Sequence, residues 1–328
     1  MVQIDLASRW KTPQGEQLAL EVLRRVRDRR SLTGLGLESH EGRLDLRGLP
    51  SPRPRSSGHT EHKGWEIEKL DSPFTLERVE LKDLDFRGAW LESWRLLKSS
   101  ITNCRFDDAQ CRDWRLWSVD VSDSSFAAAD MRSAVLGAWH EGKGNTFNRV
   151  DFRRADLREI VCPAATFVDC DFSNARLANV DFQSTSFVRC RFAGLLREVI
   201  FYARGFNTGK PNPNPMEDVD FSQAELRMVE FRGLDLDQVA LPEDENHLVL
   251  RHYRCVLEHA LEGLRDDTKW RGLRAIFENA HRWAGPRQEV GVFNQLDFIE
   301  MANADEAGFA ADLLRRCEEE CGAIDQRT

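Results

Sequence analysis

Residues 147–192 read FNRVDFRRADLREIVCPAATFVDCDFSNARLANVDFQSTSFVRCRF, and every fifth residue from Phe147 to Phe192 is apolar. The same step runs from Leu76 to Leu136 and from Phe221 to Leu241, making 28 centres, all of them apolar. At 41% hydrophobic content, chance would make roughly 11 or 12 of them so. Neither a helix nor a flat strand repeats every five residues, so the period itself carries the fold.

The residue two before each centre is usually small: Val150 precedes Phe152, Ala155 precedes Leu157, Cys170 precedes Phe172 and Val180 precedes Phe182. Asp often stands immediately before the centre, as at Asp151, Asp156, Asp171 and Asp181. This unit resembles the pentapeptide-repeat family over about half the chain. The resemblance implies a mainly β fold, a right-handed quadrilateral β-helix whose coils each take four units. Residues twenty apart should then stack at about 4.8 Å. Phe86, Phe106 and Phe126 are so spaced, as are Phe152, Phe172 and Phe192, and Phe147, Phe167 and Phe187. Seven such coils span roughly 34 Å around a solid interior without a cleft. Trp94 and Trp114 occupy the small position twenty apart. Two indoles overfill a narrow core, so the expectation there is a bulged backbone or an edge that turns outward as a Trp ridge, with a bulge or a covered edge preferred because an apolar surface stripe is costly.

Around the repeats, residues 1–43 read as an N-terminal cap with a helix at about 13–30, started by Thr12-Pro13 and carrying the stripe Ala19, Val22, Leu23, Val26. The solenoid is assigned to 44–243, beginning with an isolated unit at Arg43–Leu49. Loops are expected near 50–64, 137–145 and 203–216, where Gly, Pro, Asn and Ser interrupt the period. From 244 to 328 the apolar spacing becomes helical, with stripes from Val249 to Leu264, Leu273 to Ala284, Val292 to Ile299 and Phe309 to Cys317. Four amphipathic helices there are expected to form a bundle that covers the last coil, pairs with a second copy, or does both.

Formal charge is −9 overall, with residues 1–70 at +3, 71–240 at −5 and 241–328 at −7. Direct nucleic-acid binding is not expected of an acidic chain. No apolar run is long enough to span a membrane and Met1–Trp10 lacks a signal-peptide pattern, so cytoplasmic residence is expected. Cys104, Cys170 and Cys190 at small positions, with Cys111 and Cys162 at centres, read as buried reduced thiols. Cys317 and Cys321 share a helix face, but the sequence around them completes no metal site.

The search for chemistry returns no catalytic residue, no cofactor and no metal. Gly205–Lys210 is one residue short of a phosphate loop and has Pro211 where a magnesium-binding hydroxyl belongs. The outward Asp residues lie on flat walls with no pocket, so an enzyme is not expected.

Within the family, the quinolone-resistance and poison-immunity proteins are acidic rods of duplex-DNA width that dimerise through their C-terminal ends. The resemblance therefore implies a non-enzymatic partner of DNA gyrase or topoisomerase IV that protects it from poisons by DNA mimicry, as a homodimer. Its acidic face would comprise Asp151, Asp156, Asp171 and Asp181. Its partner-binding loops would present Trp139, His140, Lys143, Arg204, Phe206 and Lys210. The alternative is an interaction scaffold for an unrelated protein, anchored by exposed indoles such as Trp90, Trp117 or Trp139.

Overall fold

The computed structural model describes residues 6–52, 55–62, 65–71, 73–205, 213–265, 269–286, 288–301 and 303–325. Its central body is a β-helix solenoid, and the turn that generates it recurs every five residues. From Arg78 to Ser133, and again from Arg149 to Arg189, the residue two after each centre is left-handed: Asp108 has φ 57°, Asn103 51° and Arg154 60°. That conformation is costly for β-branched side chains, and these positions hold Asp, Asn, Ser, Ala, Arg, Lys, Glu and Gly instead. Between the turns short extended segments form four parallel ladders offset by five residues. They run through Leu76, Leu96 and Leu116, through Leu81, Ile101, Val121, Phe147, Phe167 and Phe187, and through the isolated bridges Asp85–Arg105–Ser125–Asp151–Asp171–Arg191 and Trp90–Gln110–Asp130–Asp156–Arg176.

Inside, phenylalanines form columns. Phe86, Phe106 and Phe126 stack with centroids 5.1 and 4.7 Å apart. Phe152, Phe172, Phe192 and Phe221 continue the same column at 5.7, 5.0, 4.7 and 4.7 Å. Trp94 and Trp114 depart from expectation, for both indoles are fully buried and stack at 5.6 Å with planes only 2° apart. They fit because their ring edges meet Phe86, Phe106 and Phe126. Their N–H groups also find acceptors, Ser51 Oγ at 2.9 Å for Trp94 and the Leu91 carbonyl at 2.6 Å for Trp114.

Helix α1 (Pro13–Arg27) starts on the Thr12 hydroxyl, which accepts from the Gly15 amide at 3.0 Å, and buries Ala19, Val22, Leu23 and Val26. The Arg43–Asp45 strand pairs with Leu84–Asp85 in parallel, so the isolated unit joins the first coil across the intervening insertion. That insertion departs from the loop expected at 50–64: Arg55–His62 is a strand, antiparallel to Trp65–Asp71.

At the other end the solenoid finishes in two long strands, Arg191–Tyr202 and Val219–Arg232. Helices α2 (Tyr253–Gly263), α3 (Arg271–Trp283), α4 (Gln295–Met301) and α5 (Ala304–Asp325) follow. They share a core of Val256, Leu257, Leu273, Phe277, Phe298, Ala310 and Leu314. The helix expected across Val292–Ile299 starts later, because Gly291–Asn294 pairs as a strand with His247–Leu250. The Asn294 side chain then accepts from the Leu296 amide at 2.9 Å and starts α4. The helical region caps the final strand with side chains. His247 Nε2 accepts from the Leu226 amide at 3.1 Å, Asn294 donates to the Leu226 carbonyl at 2.9 Å, Asp297 accepts from the Met228 amide at 2.7 Å and Gln288 donates to the Phe231 carbonyl at 3.1 Å.

Candidate functional site

At four centres an Asp just before the centre pairs with an Arg just after it around one buried residue, on the wall at Asp130, Asp151 and Asp156 and with the carboxylate fully buried at Asp85. Asp85–Arg87, Asp130–Arg132, Asp151–Arg153 and Asp156–Arg158 close at 2.6, 2.6, 2.6 and 2.7 Å. Asp156 also meets Arg176 at 3.3 Å, and Arg153 comes within 3.9 Å of Asp171. Burial works to raise Asp156, but the Arg158 fork overcomes it and holds the carboxyl below its ordinary value. Asp181 differs: burial raises it, and the Arg232 charge offsets only part. Asp151, Asp156 and Asp171 of the expected acidic face thus sit in a mosaic of ion pairs. Residues 73–205 hold 19 acidic and 19 basic side chains, a net charge of zero. The acidity lies instead at residues 213–250, with ten acidic and two basic residues. The signal for this was the Arg that follows the centre at Arg87, Arg132, Arg153 and Arg158, two residues after an Asp.

The interruption at 137–145 is folded back onto the wall as a tight hairpin. His140 and Lys143 exchange backbone hydrogen bonds at 2.8 and 3.0 Å around Glu141 (φ 49°) and Gly142 (φ 79°), a two-residue turn with both central residues left-handed. Lys143 pairs with Asp120 at 2.6 Å and Glu141 with Lys98 at 2.7 Å. Gly137 and Gly144 permit the close approach, since a Cβ on either would sit 2.3 Å from a backbone oxygen of the neighbouring coil. Trp139 and His140 are half-buried. Buried Asn145 ends the excursion: it donates to the carbonyls of Leu116 (3.0 Å) and Leu136 (2.8 Å) and accepts from the Val119 amide at 2.9 Å. Asn214 plays the same part after the second interruption, accepting from the amides of Phe187 (3.0 Å) and Met216 (3.1 Å). Arg204 is exposed at the start of that interruption. Phe206 and Lys210 lie outside the described residues.

Cysteine placement corrects one expectation. Cys104, Cys111, Cys162, Cys170, Cys190 and Cys317 are buried free thiols, and burial pushes Cys104 up to about 12. Cys255 on α2 and Cys321 on α5, however, are joined as a disulfide with Cα atoms 6.1 Å apart. His259 Nδ1 lies 3.3 and 3.2 Å from the two sulfurs. These three donors are grouped as a metal site would need, but the sulfurs bonded to each other have no thiolate to offer one.

The described residues also enclose a cavity of about 450 Å³, outside the solenoid's interior. It lies between the Val219–Arg232 strand on one side and α3 and α4 on the other. No helix among the described residues is long and apolar enough to cross a membrane.

Ladders that recur every twenty residues around stacked rings define a solenoid protein built from five-residue units. The chain is similar to the pentapeptide-repeat family, whose sequence model, Pentapeptide repeats, is found in eight copies and matches residues 163–194. No curated protein matches the chain. Among solved structures it is similar to a trypsin-treated QnrB1, a plasmid-mediated fluoroquinolone resistance protein, at 15% identity over 62% of this chain and 85% of that one, with a TM-score of 0.35. HetL, a pentapeptide repeat protein involved in heterocyst differentiation regulation from the cyanobacterium Nostoc sp., matches at 16% identity over 52% and 90%, with a TM-score of 0.25. Rfr23 from the cyanobacterium Cyanothece matches at 12% identity over 51% and 87%, with a TM-score of 0.17.

Proposed function

We propose that this chain is a non-enzymatic protein-binding scaffold whose solenoid is a right-handed, four-sided rod. The observation that carries this reading is the Asp–Arg mosaic on the walls. A DNA mimic needs continuous lines of uncompensated carboxylates, and here the guanidinium groups cancel them. The scaffold reading is therefore favoured over topoisomerase protection. Four ladders offset by five residues support the four-sided form. Trp90, 44% exposed on the wall between Pro50 and Gln110, suits a partner's anchor pocket. We also propose that two copies pair through the C-terminal region, where Ile324 is exposed.

The test adds the full chain to DNA gyrase in a supercoiling assay with and without a quinolone. We expect no inhibition and no rescue at tenfold molar excess. In cells, a photoreactive residue at Gln110, the ladder neighbour of Trp90, should capture one defined protein, and the same residue at Thr166 on another ladder should not. Rescue of gyrase from the drug would overturn the scaffold reading in favour of mimicry.

A further inference from the structure

We propose that the cavity between the last solenoid strand and α3 is a binding site for a neutral, planar, largely aromatic small molecule carrying one amide-like edge. The cavity exists because the cap reaches the final strand through side chains. Asp297, Asn294 and Gln288 span to the backbone at Leu226, Met228 and Phe231, and α3 is thereby held off the wall. Its residues Ala275, Ile276, Asn279, Ala280 and Trp283, spaced to share one helix face, line the cavity. About 450 Å³ is within the range of sites that enclose drug-sized ligands.

The chemistry of the lining selects the ligand. Phe231, Tyr253, Phe293, Phe298 and Trp283 contribute aromatic rings, which favour a flat partner by offset or edge-on packing. The charged groups are already matched. Asp297 takes the Arg227 guanidinium at 2.8 Å, and Arg232 is held by Glu230 at 2.6 Å while stacking over Trp283. A charged ligand would be desolvated there without a counter-charge. Asn294 and Gln288 spend their carboxamides on the strand and on neighbouring amides. Asn279 is the exception: half-buried in the lining, its carboxamide has no hydrogen-bond partner among the described residues. A carboxamide offers one donor and one acceptor side by side, which is the complement of an amide edge.

The experiment uses the full chain and two probes, the neutral fluorophore N-phenyl-1-naphthylamine and the planar lactam isoquinolin-1(2H)-one. The fluorophore should bind saturably to one site per chain, and the lactam should displace it. Ala280→Trp, which fills the cavity, should weaken both at least tenfold. Asn279→Ala should weaken the lactam three- to tenfold and leave the fluorophore within twofold. The 2-naphthoate anion, of similar shape, should compete at least tenfold more weakly than the lactam. Far-UV circular dichroism and melting temperature check that Ala280→Trp is folded, with Ile276→Phe as a second filling variant. Absence of saturable binding, or binding indifferent to both filling variants, would overturn the site. Equal losses for the two probes in Asn279→Ala would overturn the amide assignment.

Discussion

Asn145 gives the sharpest test of how the solenoid absorbs an insertion. The register from Val121 to Phe147 spans six residues more than a twenty-residue coil, and Asn145 brings the chain back onto its ladder with three buried hydrogen bonds. Each bond is worth about 1 kcal/mol net, and a buried group left unpaired costs about 1–3 kcal/mol. Water entering the vacated space would recover part of that, so Asn145→Ala should lose about 3–5 kcal/mol. Asn145→Asp should lose more at neutral pH, because a carboxylate accepts from Val119 but confronts the Leu116 and Leu136 carbonyls without a proton. Ionisation is disfavoured at that site, which raises the carboxyl's folded-state pKa, so the variant should regain stability as pH falls through that raised value toward the ordinary carboxylate range. Urea unfolding of the three proteins at pH 7 and pH 4.5 measures both effects. A loss under 1 kcal/mol for Asn145→Ala, or an Asp variant insensitive to pH, would refute the plug.

Phe106→Ala, in the middle of a ring column, should lose about 3–5 kcal/mol by the usual measure for a buried Phe. Hydrogen exchange should rise in the adjoining coils and not in α2–α5, since stability is a sum over neighbouring units. Asp45, buried and gripped by Arg47 and Arg9, has its carboxyl held well below the usual range, the two guanidinium groups outweighing burial. Its contribution is full above about pH 5 and fades as pH falls toward that depressed value. Asp45→Asn should therefore flatten the acid limb of the stability profile. Reduction of Cys255–Cys321, or Cys321→Ser, should lower the melting of the helical region. The chain-entropy model gives about 4 kcal/mol for a sequence separation of 66, and an unchanged melt in dithiothreitol would contradict it.

The solenoid was legible because its signal is local and repeated: Phe86, Phe106 and Phe126 announce their stacking by spacing alone. Trp94 and Trp114 were misjudged because core width was reckoned one residue at a time, whereas Trp114 is accommodated by ring edges from two coils, Phe106 and Phe126, and Trp94 by the edge of Phe86. The ionic mosaic needed Asp and Arg to be read as one pair across a buried residue. The Cys255–Cys321 bond and the cavity were out of reach, since both depend on how distant helices pack. The strand at Gly291–Asn294 was hidden for a related reason. Val292 and Phe293 suit helix or strand equally until His247–Leu250 arrives beside them.

A β-helix has no intrinsic stopping point, and a bare terminal rung would recruit another molecule as readily as another coil of its own. His247, Asn294, Asp297 and Gln288 occupy those valences at Leu226, Met228 and Phe231 with groups that cannot propagate a ladder. They make the molecule a unit of finite length, and cutting the chain just before Glu243 should release the growth they suppress, yielding filaments.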